Sequence, residues 1–227
     1  ASVAPSAALP QTQPECLRDV PTELVDCGTW QRSATWHVPA DAVSGVYVAL
    51  LKRTDTGGAS HITFIVRSDA STADVVFQTS DPTWQAYNTY GGSDFYRGAA
   101  NGRAYKLSYN RPVTTRADND GRDFYFSAEY PLVRFLEKNG YDVTYISGVD
   151  TDRDGDRLLN HNVFLSVGHD EYWSGAQREN VEAARDAGVN LQFLSGNEMY
   201  WRARYEPSTT DGGAHRTQVS YQETRTT

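Results

Sequence analysis

The stretch VFLSVGHDEYWSG, residues 163–175, runs an apolar segment into Gly-His-Asp-Glu and follows it with Tyr172 and Trp173. His169, Asp170 and Glu171 are three ionisable groups in a row, more than a turn requires. Three chemistries are open to them: metal ligation, general-base catalysis, or a buried hydrogen-bonded polar cluster. A strand-end position like this resembles that of a nucleophile elbow, but no Ser or Cys stands at its apex. Gly-x-Ser-x-Gly is absent, and both cysteines lie far away in sequence. Acyl-enzyme chemistry is therefore disfavoured, and a metal-activated water is the more natural mechanism.

Two other stretches carry candidate chemistry. TWQAYNTYGGSDFY, residues 83–96, gathers a Trp, three Tyr and a Phe around Gly-Gly. It reads either as an aromatic cluster on a loop or as a tyrosine oxygen presented at a strand end. Tyrosine ordinarily titrates near pH ~10, and it becomes an anion beside a hard cation such as ferric iron. DTDRDGD, Asp150 to Asp156, places oxygen donors at positions one, three and five before a glycine, as the start of a calcium loop does. His161 stands at the twelfth position, where a bidentate Glu is needed. The two readings are a solvated acidic turn before a helix and weak calcium binding at Asp150, Asp152 and Asp154.

The elements around these stretches change style along the chain. Residues 28–80 hold short β-branched and aromatic runs, SATWHVP, GVYVALLKR, HITFIVR and DVVFQTS, between Gly, Asp, Ser and Thr clusters. From about 124, helix and strand alternate. EYPLVRFLEKNG predicts a helix with Pro131 in its first turn, an apolar stripe at Leu132, Phe135 and Leu136, and Gly140 as its C-terminal cap. YDVTYIS and VFLSVG read as buried strands. Ser174 and Gln177 form a capping-box start for GAQRENVEAARDAG, which Gly188 closes, and VNLQFLSGN is the next strand. Strand-helix-strand spacing implies an α/β fold with a mostly parallel sheet flanked by helices, of flavodoxin or glutamine-amidotransferase type, behind a β-rich N-terminal portion. In such sheets functional residues gather beyond the carboxyl ends of the strands, where both GHDE and SGNE fall.

The 227 residues carry a net charge of −8, with 39% hydrophobic and 22% charged residues. Such a chain buries a sizeable core, and its acidity argues against nucleic acid as a partner. No apolar run approaches the length needed to span a bilayer. Cys16 and Cys27, with no metal-ligand spacing beside them, read as a short-loop disulfide rather than two free thiols, which implies an oxidising, extracytoplasmic compartment. The small, Pro-rich opening ASVAPSAALPQTQP looks like a mature end left after signal-peptide removal and is expected to be poorly ordered. Residues 1–27 are thus expected to form an extended segment, and 28–227 the α/β domain. The chain stops just after another strand, HRTQVSYQETRTT, as a fragment or cleaved piece would.

SGVYVALL, GGASHITFIVR, TSDPTWQAYNTYGG, LSYNRP, EYPLVRFLEKNGYDVTYISGVD, VFLSVGHDEYWS, NVEAARDAGVNLQFLSGNEMYWR and YQET, in this order over most of residues 28–224, resemble the blocks of the N,N-dimethylformamidase large (beta) subunit-like family. The resemblance implies a secreted bacterial amidohydrolase with one Fe(III) held by two tyrosines and one glutamate. Those positions fall on Tyr47, Tyr90 and Glu171, with Tyr87 competing for the place of Tyr47. His169 and Asn197 would stand near the metal on the substrate side. It further implies a small amide-like substrate and a small subunit or C-terminal companion chain, since the family domain continues past YQET. A non-catalytic extracellular binding or structural domain that keeps the fold, and with it the metal, is the alternative.

Overall fold

A computed structural model describes residues 2–5, 9, 11–115 and 124–222. Four strands with apolar side chains on both faces form a parallel sheet: β5 (Val75–Thr79), β7 (Val143–Ser147), β8 (Val163–Gly168) and β10 (Asn190–Ser195). (In chain order these follow β1, Leu17–Asp19; β2, Leu24–Asp26; β3, Gly45–Lys52; β4, Ala59–Val66; and β6, Lys106–Ser108.) Their order across the sheet is β10-β8-β5-β7, every pair parallel. β7 flanks β5 on one side, and the chain then crosses back to lay β8 on the other. The topological switch point therefore lies between β5 and β8, and the crevice beyond their carboxyl ends is where such a sheet offers a site.

The two-residue period of the strands divides the core into two layers. Phe77, Tyr145, Leu165 and Val167 face α1 (Asp81–Ala86), α2 (Tyr125–Ala128) and α3 (Tyr130–Lys138) through Trp84, Tyr125, Val133 and Leu136. Val76, Ile146 and Phe164 face the opposite way. There they meet Leu158, from a 3-10 turn over Gly155–Asn160 after α4 (Gly148–Arg153), and Val181 and Ala184 from α5 (Gly175–Asp186). Ser174 and Gln177 make the expected capping box at the start of α5, and Gly140 and Gly188 take left-handed backbone after α3 and α5. The α3 stripe differs from the expected one. Val133 and Leu136 are its buried positions, whereas Phe135 is half exposed and lies against Tyr141.

A second four-stranded sheet has the order β6-β12-β11-β9, built from β9 (Tyr172–Ser174), β11 (Trp201–Glu206) and β12 (Thr217–Val219). β9 and β11 run parallel, and the other pairs are antiparallel. β3 and β4 make a separate two-stranded ribbon, and β1 and β2 another, closed by the Cys16–Cys27 disulfide. SATWHVP contributes one isolated bridge at Ala34 rather than a strand. Its Trp36 covers Tyr47 and Phe64 of the ribbon. Of the opening segment expected to lack order, residues 1, 6–8 and 10 lie outside the described residues. Four of the others are tied to residues 30–34: Pro5 bridges Ala34, Ser33 Oγ donates to Gln11, Gln13 exchanges hydrogen bonds with Gln31, and Trp30 Nε1 donates to the Pro14 carbonyl. The last two residues of YQET also lie outside the described residues. No helix among the described residues is long and apolar enough to cross a membrane.

Candidate functional site

The crevice at the switch point is filled from both strands that border it. β5 leads through Ser80 into α1, whose six residues are all buried, and α1 delivers the chain to Tyr87. β8 ends at Gly168, whose φ of 94° lets the chain turn sharply into His169-Asp170-Glu171. A side chain there would meet Glu129 and Ala128 at about 3 Å or less, so glycine is required by space as well as by conformation. Glu171 is fixed through its backbone: its N–H donates to Thr83 Oγ1 on α1, and its carbonyl accepts from Trp201 N–H on β11.

Its carboxylate is almost fully buried and meets two phenols. Tyr87 Oη donates to Oε2 at 2.9 Å, and Tyr96 Oη donates to Oε1 at 2.8 Å. The two rings stack with centroids 4.7 Å apart. His169 Nε2 stands 3.5 Å from Oε2, its ring beside that of Tyr87. Tyr172 Oη donates to Tyr96 Oη at 2.7 Å, and Gln222 Nε2 donates in turn to Tyr172 Oη. Burial, with the charge of Glu171 adding to it, holds the Tyr87 phenol far above its ordinary range, and burial pushes Tyr96 up to about 12.

The loop that carries both phenols is held from three sides. The Arg111 guanidinium, buried against it, donates to the carbonyls of Gln85, Tyr90 and Ser93, and its burial lowers its pKa to about 10. Asn88 donates to the Pro112 carbonyl and accepts from the N–H groups of Tyr90 and Thr114. Glu23, on the disulfide-closed hairpin, accepts from Ser93 Oγ and from the N–H groups of Ala99 and Asn101.

Behind Glu171 lie further carboxyls. Asp170 Oδ2 accepts from Gln78 Nε2 and Ser166 Oγ, both at 2.8 Å, and burial together with the charge of Glu198 raises its pKa well above the usual carboxylate range. Glu198, raised by its own burial, lies beside Ser166 Oγ at 3.4 Å and within electrostatic reach of His169. Glu129, under Gly168, accepts three hydrogen bonds on Oε1, from Ser80 N, Ser80 Oγ and Trp84 Nε1.

The structure brings together part of the set named from sequence. Glu171 and His169 meet. Tyr47 does not join them: its hydroxyl donates to the Val43 carbonyl at 2.9 Å, and its ring lies in an aromatic group with Trp36 and Phe64. The physical reason is topological, since β3 belongs to a separate ribbon rather than to the sheet whose strand ends form the crevice. Tyr90 stands three residues past Tyr87, its ring edge-on to Trp30 and its carbonyl on Arg111. The two phenols on Glu171 are instead Tyr87, the competitor for the first place, and Tyr96, the last residue of the aromatic stretch. Asn197 is exposed in left-handed backbone, with its carbonyl accepting from Tyr200 N–H, and its neighbour Glu198 is the residue turned inward. Asp150, Asp152 and Asp154 do not share a cage. Asp150 completes the capping box that Ser147 opens at the start of α4 and pairs with Arg67, Asp152 accepts from Ser174 and faces His215, and Asp154 pairs with Arg157. Among the described residues no three His, Cys, Asp or Glu side chains are grouped to hold a metal ion. The oxygens that converge belong to three side chains, two phenols and one carboxylate. They are hard donors that become anionic on ligation, and they suit a ferric ion in type and number.

The beta subunit of N,N-dimethylformamidase from Paracoccus aminophilus is 29% identical over 124 residues, which is 52% of this chain and 16% of that protein. The chain thus aligns with about a sixth of that relative's length. The family described as N,N-dimethylformamidase beta subunit-like, C-terminal, matches residues 1–227, and the chain belongs to that family.

Proposed function

We propose that this chain carries the metal centre of an iron-dependent amidohydrolase, with Tyr87, Tyr96 and Glu171 as the ligands of one Fe(III). The observation that carries the reading is the meeting of two phenol oxygens with the two oxygens of one buried carboxylate. A ferric ion there would polarise an amide oxygen and acidify a water. The protein's own groups supply the rest. His169 is placed to take up a proton beside Glu171 and to pass it to the departing amine nitrogen. Glu198 lies within electrostatic reach of His169. Asn197, exposed on the same loop, adds a polar group for a small amide. Tyr96 is 39% exposed, so the cluster has an edge open to substrate. The relative's description as a beta subunit supports a companion chain, and the Cys16–Cys27 disulfide supports an oxidising, extracytoplasmic location.

The test is metal analysis with a visible spectrum on protein expressed in iron-rich medium. One iron per chain and a tyrosinate-to-iron charge-transfer band are expected, together with hydrolysis of small N-substituted amides. Tyr87→Phe, Tyr96→Phe and Glu171→Ala should lose the band, while Tyr47→Phe and Tyr90→Phe keep it. An iron-free, colourless wild type refutes the reading. A second reading, a non-catalytic module that keeps the metal, is favoured by one observation: Glu171 is 3% exposed, with both oxygens already engaged by phenols. Full iron loading with no turnover of any amide would select it.

A further inference from the structure

We infer that Tyr172 is a positioning residue for the metal centre, which holds the Tyr96 oxygen in place for ligation by donating a hydrogen bond to it. The inference rests on the iron reading above and goes one residue beyond its ligand set. Tyr172 follows Glu171 directly and opens β9, paired in register with Trp201 on β11. It is fully buried, with its ring against Phe95. A phenol oxygen can donate once and accept from others. Gln222 Nε2 fills the acceptor side of Tyr172 Oη. The Tyr172 hydrogen is thereby directed at Tyr96 Oη, 2.7 Å away. Tyr96 gives its own hydrogen to Glu171 Oε1. When Tyr96 exchanges that hydrogen for a cation, its oxygen becomes an anion with a donor already aimed at it. A hydrogen bond to an ionised oxygen is stronger than one to a neutral oxygen. The Tyr172 contact therefore fixes the direction of the Tyr96 oxygen and draws electron density from it once it is a ligand. Gln222, held in left-handed backbone at the far end of this relay, fixes the direction of donation.

Tyr172→Phe removes one oxygen and keeps the ring, so the packing against Phe95 survives. With the donor gone, iron binding measured by chelator competition should weaken roughly ten- to a hundredfold, the usual cost of losing a partner that orients a ligand. The charge-transfer band should move to longer wavelength and the Fe(III)/Fe(II) potential should fall, because the unassisted phenolate is richer in electrons. Gln222→Ala should shift all three in the same direction by less, and it tests the inference even if Tyr172→Phe fails to fold. A coloured wild type whose band, potential and affinity are unchanged in both variants overturns this inference and leaves the iron reading standing. A colourless, iron-free wild type overturns both.

Discussion

Glu129 lies fully buried beneath the turn that carries His169 and Glu171, and its substitution by Gln should reveal a stored electrostatic cost. Burial is the largest influence on its carboxyl and outweighs three hydrogen bonds to Oε1, raising it from an ordinary 4.5 to about 8. A carboxyl raised on folding keeps its proton in the native state after the unfolded chain has lost it. Native Glu129 thus binds more protons than the unfolded chain between pH 4.5 and about 8. Stability therefore falls as pH rises through that window and is lowest above it. At about 1.36 kcal/mol per pH unit, the span amounts to roughly 5 kcal/mol, a ceiling that local relaxation will reduce. Gln keeps the carbonyl oxygen that accepts from Ser80 and Trp84 and cannot ionise. Urea unfolding with the disulfide intact should show Glu129→Gln and wild type nearly equal at pH 5. At pH 9 the variant should be the more stable by several kcal/mol. Asp81, raised to about 7 mainly by burial, leaves a residual slope in both proteins. An equal stability difference at the two pH values, or a variant less stable at pH 9, would refute the argument.

Arg111→Lys cannot span the three carbonyls that now receive the guanidinium. At roughly 1.5–3 kcal/mol for each charged hydrogen bond lost, unfolding should show a deficit of about 3 kcal/mol or more, and iron loading should fall with it. Gly168→Ala places a side chain at φ 94° against Glu129, so it should cost roughly 1–3 kcal/mol from backbone strain alone, read as a lower melting temperature. Reduction of Cys16–Cys27, which closes a short loop, should cost about 3 kcal/mol in urea unfolding. It should also speed amide exchange at Ala99 and Asn101, because Glu23 on that hairpin braces the Tyr96 loop.

YDVTYIS and VFLSVG were legible as buried strands because a strand covered on both faces must be a near-continuous apolar run, whereas DVVFQTS, read with the β-rich N-terminal portion, belongs inside the parallel sheet as β5. The capping box at Ser174 and the glycine stops at 140 and 188 were legible because each satisfies a local backbone demand. Three-residue strands such as β6 and β9 leave no period to detect, so the second sheet was not legible beyond the strand read in HRTQVSYQETRTT. The same limit explains the tyrosines. TWQAYNTYGGSDFY announced phenols near a turn, but Gly91 and Gly92, both in left-handed backbone, break any helical or strand phase. Nothing local then tells Tyr87, Tyr90 and Tyr96 apart. Tyr47 was drawn from a resemblance to a short flanking block, and its own neighbours, Trp36 and Phe64, were not contiguous with it. The acidic run at 150–156 left two readings open for a related reason. Spacing along the chain matched a calcium loop, while helix α4 turned successive carboxylates toward different partners.

Glu171 was legible because sheet topology and side-chain chemistry agree there. Its strand, β8, borders the switch point, and the residues after it must turn outward over the sheet. Its backbone is then pinned by α1 on one side and β11 on the other, so one carboxylate joins the parallel sheet to the mixed one. Tyr87 reaches the carboxylate from the β5 side, and Tyr172, on β9, is linked to it through the hydroxyl of Tyr96. A centre assembled in this way is sensitive to either sheet shifting relative to the other. Thr83→Val, which removes the hydroxyl that accepts from Glu171 N–H, should therefore weaken binding of the proposed iron through the position of Glu171 while leaving the oxygen donors themselves unchanged.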